Sequence, residues 1–294
     1  MNGRFRWDIH SNDNTLFVTS RCNNRCLMCA QPPLERNDIE FHFRQNIELL
    51  KEAPPELPVI GISGGEPTLA GDLLFELLER IHRKLPETAV QLLSNGRAFA
   101  DPGYARKLTG LELGRLLIGI PLHSDFHGDH DAVTQVKGSW SETMRGLYRL
   151  ACFDVEIELR IVIQKMNCRR LLKMAEFICR NLPFVSSVIF MGLEFTGFAV
   201  RYEAEVWVDP VEYRDELEKA VKLLDDCEMP VAVFNLPHCV LTPNLRVHAC
   251  RSISDWKVFY PGSCAGCACR NECGGLFSTS GKQSRALFPI QADN

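Results

Sequence analysis

Three cysteines lie within eight residues, at Cys22, Cys26 and Cys29, just after a short apolar segment. Redox pairs and zinc half-sites normally use two or four sulfurs, so three is an unusual number for either. Three ordinary buried thiols would not be expected to cluster among Asn and Arg neighbours. A four-iron cluster held by three sulfurs leaves one iron open, and the spacing therefore predicts an iron–sulfur site that binds a second molecule.

A second motif follows some thirty-five residues later, where the apolar run from Val59 breaks into Gly64-Gly65-Glu66-Pro67. This pattern predicts a strand that ends in a tight turn. Paired glycines allow positive φ and a close backbone approach to a ligand, and the Glu66 carboxylate can accept hydrogen bonds from an ammonium group. Alone, the motif would indicate only a turn.

Length and composition limit the architecture that can position these motifs. The chain has 294 residues, of which 46% are hydrophobic, enough for one α/β barrel and a small appendage. The net charge of -4, with 33 basic residues dispersed among 37 acidic ones, argues against a nucleic-acid partner. The sequence has neither an apolar run of membrane-spanning length nor a signal peptide, so we expect a cytoplasmic protein without a membrane partner.

Six apolar, β-rich runs alternate with helical patterns, which predicts parallel βα units that form a partial (β/α)6 TIM-like barrel. The predicted strands are Leu16–Ser20, Val59–Ser63, Ala89–Leu93, Leu116–Leu122, Ile157–Ile163 and Val188–Leu193. We expect the barrel to occupy residues 1–230 and a small Cys-rich iron–sulfur domain to occupy residues 231–294.

Polar residues follow most of these strands, where the active site of such a barrel would lie. Asn95 follows the third strand, and Ser124 follows the fourth. Arg160, within the apolar fifth strand, needs an anionic partner. The segment 123–131 holds three histidines and three aspartates, and metal binding, substrate or cofactor contact and a solvated loop all remain open for it.

The last third of the chain holds a second group of cysteines. Thirteen cysteines in a chain of this length favour metal ligation in a reducing compartment over a secreted disulfide scaffold. Six of them fall within thirty-five residues and predict a second metal site, for which zinc is compatible with the spacing alone; they are Cys239, Cys250, Cys264, Cys267, Cys269 and Cys273. Four more are scattered and are expected to be plain thiols: Cys152, Cys168, Cys179 and Cys227.

The three-cysteine motif together with Gly-Gly-Glu-Pro resembles the radical S-adenosylmethionine (SAM) superfamily, with Met28 at a position that is often aromatic there. The resemblance implies that Cys22, Cys26 and Cys29 hold a [4Fe-4S] cluster and form the catalytic centre. It further implies that Gly64, Gly65 and Glu66 bind SAM, with Glu66 at its amino group, Asn95 near the ribose, and Ser124 or Arg160 at the carboxylate.

The C-terminal cysteines resemble a shortened auxiliary-cluster domain of peptide-modifying enzymes in that superfamily. This implies one auxiliary [4Fe-4S] cluster on Cys239, Cys264, Cys267 and Cys273, with Cys250 and Cys269 in reserve. Several stretches are similar to the radical SAM maturases of the His-Xaa-Ser peptide system, the HxsC type; they include residues 182–185, 190–194, 206–210, 235–239, 252–257 and 273–277.

This closer resemblance implies an enzyme that reductively cleaves SAM to a 5′-deoxyadenosyl radical and modifies a ribosomally made precursor peptide of the His-Xaa-Ser type. Its expected partners are the peptide, an external electron donor, a second radical SAM protein and small accessory proteins. Two alternatives stay open. One is a radical SAM enzyme acting on a small metabolite or cofactor precursor, and the other is a non-catalytic iron–sulfur partner of another maturase.

Overall fold

The computed structural model describes residues 7–11, 14–111, 113–254 and 256–291. Asp255, which belongs to one of the resembling stretches, and most of the polar N-terminal segment before residue 14 lie outside the described residues. The strands within these ranges are β1 (Thr15–Phe17), β2 (Val59–Ser63), β3 (Ala89–Leu93), β4 (Leu116–Pro121), β5 (Glu156–Val162), β6 (Ser187–Met191), β7 (Val231–Phe234), β8 (Ala249–Cys250), β9 (Val258–Phe259) and β10 (Leu276–Phe277).

Nine α-helices fall within the described residues, several of them joined by short 3-10 turns. They are α1 (Ile39–Lys51), α2 (Asp72–Lys84), α3 (Pro102–Thr109), α4 (His127–Thr134), α5 (Ser139–Ala151), α6 (Leu171–Asn181), α7 (Phe198–Arg201), α8 (Glu203–Val206) and α9 (Arg214–Asp226). In the described part of the chain, no helix is long and apolar enough to cross a bilayer.

The chain divides into two compact units, and the first consists of Met1–Arg25, Pro32–Pro121 and Gly138–Glu158. In this unit β1, β2, β3 and β4 pair in parallel in chain order. The central residues of β2 are all buried, as is usual for parallel strands covered on both faces. Helix α2 contributes a buried stripe at helical spacing, at Leu74, Leu77, Leu78 and Ile81.

The second unit consists of Cys26–Gln31, Leu122–Lys137 and Leu159–Asn294. Strand β5, which begins in the first unit, is followed in the sheet by β6, β7 and β8, again in chain order. The β6–β7 and β7–β8 pairs are parallel, whereas β9 and β10 form a separate antiparallel pair.

The predicted parallel α/β architecture with a Cys-rich C-terminal region is confirmed, since all six predicted strands are present. Five agree with their expected bounds within two residues, and the first ends three residues earlier than predicted. Strands β7 and β8 were not predicted. Asp209 caps a 3-10 turn at Pro210–Glu212, and helix α9 begins after it at Arg214. The division at residue 230 stays a prediction.

In the first unit, the chain leaving β2 runs against the chain leaving β1. Gly65 N–H donates to Thr19 O at 2.6 Å, and Glu66 N–H donates to Arg21 O at 2.7 Å. A Cβ on Gly65 would lie 2.1 Å from Arg21 O, and one on Gly64 would lie 2.7 Å from Thr19 O. Neither glycine has positive φ, so close backbone approach explains both.

We expect Gly65→Ala to lower the free energy of unfolding by about 2 kcal/mol, because overpacking against backbone that cannot move aside costs about 1–3 kcal/mol. Urea unfolding measures the loss. Gly262→Ala is the matched control, since its Cβ would meet open space and its φ is not positive. Equal stability of the two variants would contradict the close approach.

Candidate functional site

The segment that leads into Cys22 is held by Asp38, a buried residue that sequence analysis missed. Its carboxylate accepts hydrogen bonds from the Thr19 hydroxyl at 2.6 Å, the Ser20 N–H at 3.1 Å and the Ser20 hydroxyl. Burial opposes ionisation of Asp38, but these hydrogen bonds and the nearby His42 outweigh it and hold the pKa well below its ordinary value. An acid just before helix α1 suggests a helix cap, yet its side chain makes no cap bond.

Glu66 is buried at the end of β2 and organises the neighbouring turn. One carboxylate oxygen accepts the Thr68 N–H at 3.0 Å, the Thr68 hydroxyl at 2.7 Å and the Ser94 hydroxyl at 2.8 Å. The other oxygen accepts the Asn95 N–H at 2.7 Å. Burial raises the pKa of Glu66 despite these donors. Glu66 thus joins the loops after β2 and β3, and its predicted contact with SAM stays a prediction.

The loop after β3 also contacts the residues next to Cys22. Asn95 Nδ2 donates to Asn23 Oδ1 at 2.6 Å. Arg97, which sequence analysis missed, donates to Asn23 O at 2.6 Å and to Asn24 Oδ1 at 2.7 Å, while Glu142 pairs with its Nε at 2.6 Å. The first unit therefore brings together three predicted site residues, Cys22, Glu66 and Asn95, through these contacts.

Cys22 and the other two cysteines of the motif fall in different compact units, since Cys26–Gln31 belongs to the second. There Cys29 N–H donates to Cys26 O at 3.0 Å, forming a tight turn. Phe198 N–H donates to Cys29 O at 2.8 Å, and a Cβ on Gly197 would lie 2.5 Å from the same oxygen. Burial raises the pKa of the Cys29 thiol.

The side chains between these cysteines anchor the turn in an apolar cluster. Leu27 and Met28 are buried with Val133, Phe195 and Val206, among others. Met28, which replaces the usual aromatic residue, therefore packs on protein side chains of the second unit. Its thioether suits an irregular apolar contact of this kind.

The polar segment after β4 is buried at its key positions. His123, Ser124 and His130 are 2%, 0% and 1% exposed, so a solvated loop does not describe them. The His123 and His130 rings lie 5.0 Å apart. Burial, together with His130, lowers the pKa of His123 well below its ordinary value, so His123 is neutral at pH 7.

The polar groups around His123 are tied together by Asn167, whose Nδ2 donates to His123 O at 3.2 Å and to Val162 O at 3.0 Å. Within the described residues, His123 Nδ1 and both polar atoms of the Gln164 side chain are buried without a hydrogen-bond partner. Sequence analysis missed Gln164. The Ser124 hydroxyl accepts the Phe126 N–H at 3.1 Å, and the predicted cofactor roles of Ser124 and Arg160 stay predictions.

Four C-terminal cysteines line one cavity of the second unit, which we call the cysteine cavity. They are Cys239, Cys264, Cys267 and Cys273, the four predicted auxiliary ligands, whereas Cys250 and Cys269 do not line it. Cys273 Sγ accepts N–H groups of His238 at 3.5 Å and Gly275 at 3.4 Å, and Cys267 Sγ accepts Ile290 N–H at 3.4 Å.

The donor chemistry at both cysteine groups fits iron–sulfur clusters. All thirteen cysteines are free thiols, and backbone N–H groups directed at sulfur stabilise the thiolates that bind iron. Across the described ranges, no three His, Cys, Asp or Glu side chains form a group that could hold a metal ion. Cysteine ligands of a four-iron cluster each bind a different iron, so convergence on one ion is not what a cluster requires.

The radical SAM superfamily model matches residues 16–198, well over half of the chain. Two curated relatives are Fe-coproporphyrin III synthase of Methanosarcina barkeri, 31% identical over 52% of this chain and 37% of that protein, and GTP 3′,8-cyclase of Nautilia profundicola, 28% identical over 70% and 64%. The match thus spans between about a third and two thirds of these relatives.

Solved structures share the fold at lower identity. Streptococcus suis SuiB bound to its precursor peptide SuiA matches with a TM-score of 0.57 at 11% identity, over 74% of this chain and 48% of SuiB. The protein anSMEcpe with bound AdoMet and the Kp18Cys peptide matches with a TM-score of 0.56 at 18% identity, over 74% and 63%. With the match to the family model, the chain belongs to the radical SAM superfamily, whose members use a [4Fe-4S] cluster and SAM.

We expect Asp38→Asn to lower the free energy of unfolding at pH 7 by about 1–3 kcal/mol, because it weakens the bonds from a buried carboxylate to three donors. The pKa of Asp38 is lower in the folded state than the ordinary 3.8, so this contribution is present above pH 3.8 and declines as pH falls from 3.8 towards the folded-state pKa. Unfolding of cluster-free protein between pH 3 and 7 measures the difference. If the difference in unfolding free energy between wild type and variant does not decrease in acid, the ionised Asp38 carboxylate does not have this role.

Proposed function

We propose that this protein is a radical SAM peptide maturase with a second iron–sulfur cluster. The observation that carries the proposal is the cysteine cavity, since four sulfurs around one cavity provide a closed cluster site in addition to the three-cysteine motif. Support for a peptide substrate comes from the shared fold of SuiB and anSMEcpe, which are known with peptides bound. The His-Xaa-Ser substrate type rests on sequence resemblance alone.

The proposed catalytic centre uses Cys22, Cys26 and Cys29 as cluster ligands. These three residues would hold a four-iron cluster with one open iron, which would pass an electron from the external donor to SAM for its reductive cleavage to the 5′-deoxyadenosyl radical. The chain supplies geometry. Asp38 fixes the segment before Cys22, and the apolar cluster around Met28 fixes the turn from Cys26 to Cys29.

The proposed contacts with SAM begin with residues at the ends of β2 and β3. Glu66 holds the turns after β2 and β3 together, and Asn95 is placed by it. We propose that this edge binds SAM, with Glu66 at the amino group and Asn95 near the ribose. Gly64 and Gly65 act indirectly, because they let the two strand ends meet. Ser124 and Arg160 are proposed at the carboxylate.

The second cluster is proposed to serve the substrate side. A cluster closed by four protein sulfurs has no open iron, which leaves electron transfer or structural support as its role. We propose the ligands Cys239, Cys264, Cys267 and Cys273, and as partners a precursor peptide, an electron donor, and a second radical SAM protein with small accessory proteins.

A second candidate function is the modification of a small metabolite or cofactor precursor. The curated relatives favour it, because the names Fe-coproporphyrin III synthase and GTP 3′,8-cyclase refer to small molecules. A non-catalytic iron–sulfur scaffold would also bind clusters but would leave SAM intact. Product analysis therefore separates all three.

We expect about eight irons per chain after anaerobic reconstitution, since each of two clusters holds about four. Replacing Cys22, Cys26 and Cys29 together by Ala should leave about half of this iron. Cys152→Ala, at an exposed thiol remote from both groups in sequence, is the control and should keep it all. Iron analysis decides, and a triple variant that retains the full content would refute the assignment.

We expect Cys264→Ala with Cys267→Ala to abolish peptide modification while some uncoupled SAM cleavage continues, because the other cluster keeps its ligands. The experiment measures 5′-deoxyadenosine and the mass of a co-expressed precursor peptide in the same samples. Normal peptide modification by the double variant would remove the second cluster from the mechanism. Intact SAM after reduction of the wild-type protein would favour the scaffold, and release of deoxyadenosine with every tested peptide unmodified would favour the metabolite enzyme.

A further inference from the structure

The second unit contains a large open cavity, about 470 Å³ in volume, that the proposed cluster chemistry does not use. Its lining includes four basic side chains and two acidic ones, and we call it the basic cavity. The basic residues are Lys165, Arg169, Lys282 and Arg285, and the acidic residues are Asp209 and Glu212. The volume falls within the range of about 300–1,000 Å³ typical of ligand sites.

Both acids are already engaged by neighbouring groups. Asp209 accepts the Ser284 hydroxyl at 2.6 Å and the Arg285 N–H at 2.9 Å. Burial opposes its ionisation, but these bonds and that from Val211 N–H outweigh it and lower the pKa of Asp209. Glu212 pairs with the Arg285 guanidinium at 3.1 Å. The two carboxylates thus fix the segment around Arg285, where they outnumber its single positive charge by one.

The other three basic side chains of the lining differ in their partners. Lys165 Nζ donates to Ala204 O at 2.8 Å, a neutral partner that leaves its charge uncompensated. Lys282 pairs with Glu203 and lies 5.0 Å from the centre of the Trp207 ring. Within the described residues, the Arg169 guanidinium has no hydrogen-bond or ion-pair partner. Lys165 and Arg169 are therefore the two cations of the described lining that no carboxylate pairs with, and they make this side of the cavity attractive to anions.

The basic cavity lies next to both cysteine groups of the second unit. Trp207 lines it and also packs against the apolar cluster that holds Leu27 and Met28, between Cys26 and Cys29. Trp207 and Lys282 also line a small adjoining cavity, which extends to Pro237 and Leu276. Those last two residues line the cysteine cavity as well. A ligand held in the basic cavity would therefore lie beside the proposed chemistry.

We propose that the basic cavity binds an acidic segment of the peptide substrate, with Arg169 as the principal contact for a side-chain carboxylate. This inference rests on the proposed peptide maturase function and adds its substrate class. An arginine guanidinium binds a carboxylate through two parallel hydrogen bonds, and the exposed part of Trp207 offers an apolar wall for a neighbouring side chain. The pairing of cations with an aromatic wall suits a peptide that carries both acidic and apolar residues.

The test uses the reconstituted full-length protein and two fluorescent peptides, acetyl-Glu-Glu-Phe-Glu-Glu-amide and the analogue in which every Glu is Gln. Anisotropy should show the Glu peptide binding at least about tenfold more tightly than the Gln peptide, with affinity falling as salt rises. Arg169→Gln should weaken the Glu peptide by about tenfold, as expected for one lost charge-assisted contact. Arg180→Gln, at an exposed arginine of α6 outside the cavity lining, is the control and should bind normally.

Two further measurements test where the Glu peptide binds and whether the site recognises a peptide or any small anion. Unlabelled Glu peptide should quench tryptophan fluorescence in wild type and much less in Trp207→Phe. Equal affinity for the two peptides, or no effect of Arg169→Gln, would overturn the proposal. So would displacement by inorganic phosphate at the concentrations at which unlabelled Glu peptide competes, because the site would then recognise small anions.

Failure of this inference can be told apart from failure of the proposed function, because binding needs no SAM cleavage. If Glu-peptide binding fails while a precursor peptide is still modified, the acidic-segment site is wrong and the maturase function stands. If the Glu peptide binds as described but no 5′-deoxyadenosine forms under reducing conditions, the site stands as a peptide-binding site and the enzymatic proposal fails.

Discussion

The close approach between the chain leaving β1 and the chain leaving β2 is the constraint on which the first unit depends. The backbones approach so closely that Gly64 and Gly65 have no room for a Cβ, which would meet Thr19 O or Arg21 O. This approach places the buried Glu66 carboxylate where it accepts donors from the loop after β3. The Gly-Gly-Glu sequence therefore links the ends of β1, β2 and β3. Any contact that it makes with a cofactor depends on this link.

In the second unit, the main constraint is the packing that holds the turn from Cys26 to Cys29 in place. Leu27 and Met28 are buried in an apolar cluster, so the two side chains between Cys26 and Cys29 anchor the turn while the thiols stay partly exposed. Trp207 belongs to the same cluster and to the wall of the basic cavity. Packing around the turn and binding of a ligand would consequently be coupled through one aromatic side chain.

The strands and the four-cysteine grouping were predictable because they depend on local patterns. Apolar runs such as Val59–Ser63 are long enough to identify a buried parallel strand, and cysteine spacing limits the ligand sets. The short strands β7 and β8 have few residues from which to recognise a pattern. Asp38, Arg97 and Gln164 were missed because their importance comes from partners distant in the sequence or from burial, neither of which has a periodic signal.

We propose that the protein holds two chemically different clusters, one with an open iron and one closed by four sulfurs. Electron paramagnetic resonance of the reduced protein with and without SAM tests this directly, since only a cluster with an open iron can bind the added molecule. We predict that SAM changes the signal of wild type and of Cys264→Ala with Cys267→Ala, and that the remaining signal of the Cys22, Cys26 and Cys29 triple alanine variant does not respond. A SAM response that persists in the triple variant, or none in wild type, would contradict the account.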